Sequence, residues 1–281
     1  GPDGNLWFPE FDGAGAIASK IGRITPAGVV TEFPIPPSFN QSSDSGVNFV
    51  HNIAAGPDGN LWYVTEENVG LEDLPVFRGK IGRITPAGKV TEFLLRRAGI
   101  RRREDDFDQF PDYFRADAIA AGPDGNLWFT EHSDEITRIG RITPAGRITE
   151  YTLPNDAASF PNALALAIAA GPDGNLWFSL ADHNFDIGPF PEARIGRITP
   201  AGIITIFPLP LLEPFGGIDS LTAGPDGNLW LTDSRQSRVV KLTPPDAPTG
   251  SVRSASDRGP DQLDGITNVR RPTFTGVSRP G

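Results

Sequence analysis

Short apolar and β-branched runs separated by Gly, Pro and Asp clusters recur along the whole chain, and no stretch carries a helical period of apolar positions. One set comprises Ala118-Ile119-Ala120-Ala121, Leu127-Trp128-Phe129-Thr130, Arg138 to Thr143 and Arg147 to Leu153, and its spacing predicts four strands. The Gly-Pro-Asp-Gly between the first two is tight-turn chemistry. Pro fixes φ at the first corner, Asp bonds back to the backbone and Gly accepts a positive φ, so the first two strands form a hairpin. Leu127, Trp128 and Phe129 are apolar in succession, which fits a strand covered on both faces.

The same set repeats. Gly-Pro-Asp-Gly-Asn-Leu-Trp occurs at Gly1, Gly56, Gly122, Gly171 and Gly224, spaced 55, 66, 49 and 53 residues apart. Ile-Gly-Arg-Ile-Thr-Pro-Ala-Gly follows at Ile21, Ile81, Ile139 and Ile195, with a degraded version at Val239 to Pro244. Repeated four-stranded units that each bear a Trp strand predict an all-β fold, a β-propeller of four-stranded blades. Five repeat units are visible over residues 1–245. The first begins in the turn after its innermost strand and the fifth has no clear outermost strand after Pro244, so the chain reads as a fragment of a six- or seven-bladed parent.

The repeated Asp3, Asp58, Asp124, Asp173 and Asp226 invite a calcium reading, but an identical residue at every turn is better explained by the turn itself. Arg23, Arg83, Arg141 and Arg197 are likewise expected to be structural.

Composition narrows the classes. Gly 32 and Pro 28 of 281 residues match a turn-rich fold. A formal net charge of −10 argues against a nucleic-acid surface. With Cys 0, disulfides, thiolate metal sites and cysteine nucleophiles are excluded. The longest apolar run, Ala163 to Ala170, is too short to span a bilayer, which needs about 20 residues.

Residues 246–281 read as a linker and the truncated start of another domain. The stretch from Ser254 through Asn268 to Gly276 resembles the opening of bacterial immunoglobulin-like domains carried in tandem on extracellular proteins. That resemblance implies a Ca²⁺ option at Asp257, Asp261 and Asp264, against a solvated acidic linker.

A hairpin returns to the rim from which it started, so the start of each innermost strand lies beside the end of the second. Five positions before each turn Gly stand His51, Asp117, Leu166 and Asp219; nine positions after it stand Glu10, Thr65 with Glu66 next, Glu131, Leu180 and Asp233. Whether Thr65 or Glu66 faces the axis depends on a bulge. Innermost strands line a propeller's channel, so one imidazole, His51, is expected among Glu10, Glu66, Asp117, Glu131, Asp219 and Asp233. Crowded carboxylates take up protons or bind a hard divalent cation, and an imidazole beside them is a candidate general base. His132 is expected to turn away from Glu131's side of its strand, and His183 to lie in a surface loop. The insertion from Arg96 to Arg115 reads as a solvated loop, with Phe107, Phe110, Tyr113 and Phe114 as an alternative lid.

The combined pattern, Gly-Pro-Asp-Gly-Asn-Leu-Trp-Phe-Thr-Glu, then Ile-Gly-Arg-Ile-Thr-Pro-Ala-Gly, then Ile-Thr-Glu-Tyr, resembles the virginiamycin B lyase (streptogramin lyase) family over residues 1 to about 244. The resemblance implies a seven-bladed propeller that opens a cyclic depsipeptide by Mg²⁺-assisted elimination. It also implies catalytic roles for His51, Glu66 and Glu131, while metal ligation by Glu10, Glu66, Glu131, Asp117, Asp219 and Asp233 is expected from their convergence on the channel. Val50 replaces the family's Pro before the histidine, and Asp117, Leu166 and Asp219 stand where further histidines occur in the family.

Two functions are therefore expected. One is a carbon–oxygen lyase acting on a cyclic depsipeptide or lactone held at the central channel. The other is a non-enzymatic extracellular binding or adhesion module. Either is expected to be a monomeric, secreted or cell-surface bacterial protein with no nucleic-acid partner and no membrane span.

Overall fold

The computed structural model describes residues 1–10, 20–35, 48–68, 77–95, 115–132, 136–154, 163–182, 194–209, 218–233, 237–244 and 273–275. Every regular element among them is a strand. Blade 1 holds β1 (Leu6–Glu10), β2 (Lys20–Ile24) and β3 (Val30–Pro34). Blade 2 holds β4 (Asn48–Ala55), β5 (Leu61–Asn68), β6 (Phe77–Ile84) and β7 (Val90–Leu94). Blade 3 holds β8 (Arg115–Ala121), β9 (Leu127–His132), β10 (Thr137–Ile142) and β11 (Ile148–Thr152). Blade 4 splits its inner strand into β12 (Ala163–Leu164) and β13 (Ile168–Ala170), then adds β14 (Leu176–Asp182), β15 (Arg194–Ile198) and β16 (Ile204–Pro208). Blade 5 holds β17 (Ser220–Ala223), β18 (Leu229–Asp233) and β19 (Arg238–Thr243), with β20 (Thr273–Thr275) as its outer strand.

All pairings are antiparallel meanders, and the inner strands β4, β8, β13 and β17 contact one another in that order. This is the arrangement of a β-propeller. Among the described residues no helix is long and apolar enough to cross a membrane.

The repeated residues explain the packing. In every blade the turn Asp accepts from the Trp indole, at 3.0 Å in blades 1 to 4 and 3.1 Å in blade 5, and from the following Asn backbone N–H at 3.2 Å. Burial raises the carboxyl pKa of Asp58 and Asp124, but the bonds from Asn and Trp outweigh it and hold both below 3.8. These aspartates are therefore committed to the turn.

The motif arginines clamp neighbouring blades. Arg23, Arg83 and Arg141 each donate to the Pro carbonyl of the next blade's outer turn, Pro86, Pro144 and Pro200, at 2.9, 2.9 and 3.0 Å. Each guanidinium also lies over its own blade's Trp. The outer-strand aromatics Phe33, Phe93 and Tyr151 cover Gly88, Gly146 and Gly202 of the following blade, where a Cβ would collide with the ring.

Apolar clusters fill the gaps between sheets. Trp62 and Val64 of blade 2 pack with Leu127 and Phe129 of blade 3, while Trp128 of blade 3 packs with Leu176, Phe178 and Leu180 of blade 4. Each second strand thus sends alternate side chains to opposite neighbours, which is why its apolar residues run consecutively.

Candidate functional site

The regular alternation of β5 sends Thr65 with Tyr63 towards blade 1 and Glu66 with Val64 towards blade 3. The irregularity lies in the opposite strand. β4 and β5 shift register between Val50 and Asn52, so His51 is the bulged residue. The bulge turns His51 Nε2 to within 3.4 Å of Glu66 Oε1, joining the two residues the sequence had grouped.

Glu66 is 4% exposed and is shared with blade 3. Its Oε2 lies 2.7 Å from Arg115 Nε, out of line for a hydrogen bond, while Oε1 accepts from Arg115 Nη2 at 3.2 Å. Arg115 opens the inner strand of blade 3 and its side chain is 43% exposed. His51, Glu66 and Arg115 therefore form a half-open imidazole–carboxylate–guanidinium row across blades 2 and 3.

A second row sits at the equivalent place in blade 3 with the groups exchanged. β8 and β9 shift register between Ala116 and Ile119, and Asp117 in this bulge meets His132 Nδ1 at 2.7 Å. Thr130 Oγ1 accepts the Ala118 N–H and holds the bulge. His132 does occupy the face opposite Glu131, as alternation requires, yet the bulge brings a different carboxylate to it. The sequence carried the signal in two parts, an acid five positions before the turn Gly and a histidine ten after it. Reading it needs the bulge. Arg115 and His132 are cross-strand partners, so the two rows adjoin.

The remaining acids do not converge. Glu131 is 1% exposed, and Arg138 Nη1 bridges it at 3.5 Å to Glu150 at 3.2 Å. Burial chiefly, then the Glu150 charge, pushes its carboxyl up from 4.5 to about 7 against the pull of Arg138, and its Oε2 has no hydrogen-bond partner. Asp233, 2% exposed, is held by Arg238 at 3.1 Å. Glu10 stands opposite Lys20 in register, and Asp219 is exposed with its backbone N–H bonded to Thr232. Glu10, Glu131 and Asp233 thus occupy one repeated rung, an acid on the second strand facing a base on the third.

The donor set does not fit the divalent cation that the sequence suggests. Among the described residues no three His, Asp or Glu side chains group to hold a metal ion, and Glu66, Glu131 and Asp233 each already face a guanidinium. Asp257, Asp261, Asp264, His183 and the aromatics Phe107, Phe110, Tyr113 and Phe114 lie outside the described residues.

Comparison with known proteins follows the same lines. Residues 112–192 match the model of the Virginiamycin B lyase family. No sequence among the curated proteins matches the chain. Of solved structures, virginiamycin B lyase from Staphylococcus aureus is 31% identical with a TM-score of 0.57, over 86% of this chain and 64% of that one. A catalytically inactive histidine-to-alanine variant of the S. aureus lyase, with quinupristin, gives 31% and 0.54 over 80% and 59%. A streptogramin B lyase gives 28% and 0.56 over 85% and 62%. The chain thus spans less than two thirds of the length of these lyases. With its repeat, its meander sheets and this likeness, the chain is a β-propeller that is similar to the virginiamycin B lyases.

Proposed function

We propose that this propeller is a carbon–oxygen lyase that opens a cyclic depsipeptide or lactone by elimination, with His51 as the proton acceptor. The observation that carries the reading is the His51–Glu66 contact at 3.4 Å, built by a bulge on an inner strand of a lyase-type propeller. His51 is part-exposed, with 26% of its side chain open, and Glu66 behind it is buried. In the reaction His51 accepts the proton on the carbon α to a carbonyl, the released electron pair forms a C=C bond, and the ester C–O bond breaks to leave a carboxylate. Glu66 accepts from Arg115 and faces the imidazole, so it positions His51 and offsets the imidazolium charge as it forms. The buried Glu131 is held by Arg138 and takes no part in this step, and no step is routed through a metal ion.

The test is incubation of the purified chain with quinupristin and mass analysis of the product. Elimination yields an open chain of unchanged mass with a new double bond, whereas hydrolysis adds one water. His51→Ala should abolish opening. A product carrying the added water, or undiminished opening by His51→Ala, defeats the proposal.

A further inference from the structure

We propose that Arg115 is the positive charge of this site and binds the carbonyl or carboxylate oxygen of the ligand, in the role a divalent cation was expected to fill. The inference takes its location from the lyase reading, but its binding chemistry stands separately.

Three observations lead to it. Each buried acid of the repeated rung meets a base within its own blade: Arg138 at Glu131 and Arg238 at Asp233. Glu66 differs, for its cation comes from the neighbouring blade and from the inner strand. Arg138 and Arg238 are also covered, with 12% and 19% of the side chain exposed, whereas Arg115 is 43% exposed. A guanidinium carries five N–H donors in a rigid fork, and a carboxylate on one side leaves the outer donors to a second planar oxygen pair. Finally, the group beside it is the site's imidazole: Glu66 joins Arg115 to His51, whose buried Nε2 is turned to Glu66 at 3.4 Å. An oxygen held by Arg115 would thus lie beside the imidazole that takes the proton. There the guanidinium stabilises the negative charge that develops on a carbonyl oxygen or a departing carboxylate.

The experiment uses the full chain dialysed against EDTA, with base-opened quinupristin as the carboxylate probe, titrated calorimetrically with and without MgCl₂. The wild type should bind the probe without metal, and Mg²⁺ should change the affinity by less than about twofold. Arg115→Gln should weaken it by at least about tenfold, about 1.4 kcal/mol, and Arg115→Lys should recover part of the loss because it keeps the charge but not the fork. Circular dichroism identifies an Arg115→Gln that has failed to fold, and in that case Arg115→Lys alone decides, a loss of about threefold or more being required. Absence of binding by the wild type, binding only with Mg²⁺, or wild-type affinity in the deciding variant overturns the proposal. If the probe binds through Arg115 but intact quinupristin is not opened, the lyase reading fails and the anion site stands.

Discussion

Replacing Glu131 by Gln should stabilise the protein at alkaline pH and leave it unchanged in acid. Glu131 is 1% exposed, and one carboxylate oxygen has no partner. Its cation, Arg138, is shared with Glu150. Its carboxyl titrates at about 7 in the folded protein against 4.5 for the free group. Below 4.5 the group is protonated in both folded and unfolded states and costs nothing. Between 4.5 and about 7 the unfolded chain releases its proton while the folded chain retains it, so folding loses stability as pH rises, and the loss is complete above about 7. At about 1.4 kcal/mol for each tenfold change, the gap is worth about 3 kcal/mol. Glu131→Gln keeps an acceptor for Arg138 and removes the ionisation. Urea unfolding of wild type and variant at pH 4.5 and pH 8 is the assay. Equal stability at pH 4.5 and a gain of about 2 to 3 kcal/mol for the variant at pH 8 are expected. A difference that is the same at both pH values, or a loss at pH 8, would refute the argument.

Three further outcomes follow from the packing. Asp124→Ala removes the acceptor of the Trp128 indole and the Asn126 amide and should cost about 1–3 kcal/mol in denaturant unfolding, with no response to added Ca²⁺. The depressed carboxyls of Asp58 and Asp124 give stability that is fully present above their unfolded value of 3.8 and lost as pH falls below it, so Asp124→Ala should flatten the acid limb of a pH–stability curve. Gly140→Ala places a Cβ 2.0 Å from Phe129 Cζ inside a buried sheet face and should cost at least about 2 kcal/mol, read as a lowered melting temperature; a neutral result would show that the ring can yield. Asp117→Asn should change the imidazole ¹⁵N signals of His132, because the 2.7 Å carboxylate partner that fixes its tautomer is gone; an unchanged spectrum removes the second row.

The fold was legible because every unit writes out its own constraints. Asp58 and Trp62 are four residues apart and bond to each other, so the turn explains itself locally. Gly82 is demanded by the Tyr63 ring lying over it, a contact that strand pairing makes predictable. The site was legible only in part, since its defining contacts depend on single-residue register. His51 and Glu66 were paired from the hairpin's return, and a bulge in the opposite strand is what brings the imidazole to Glu66. The same device in β8 unites Asp117 with His132, which simple alternation along β9 does not reveal. Glu10, Glu131 and Asp233 read as a converging acid ring because the bases that stand opposite them, Lys20, Arg138 and Arg238, belong to the third strand of the same sheet. Arg115 belongs to a charged insertion in the sequence, and only blade packing brings it to Glu66.

The joints between blades have a directional character. Phe33, Phe93 and Tyr151 act as plugs and Gly88, Gly146 and Gly202 as sockets, while the arginine of one unit latches the proline carbonyl of the next. Blades 2 and 3 each carry both halves of the fastening, so an in-frame duplicate of either would be a cassette with a ready seat on both sides. An excision that starts in one unit and stops midway through the next would strand an aromatic without its hollow and a latch without its catch. Such a chain can therefore change length by whole units far more readily than by fractions of one.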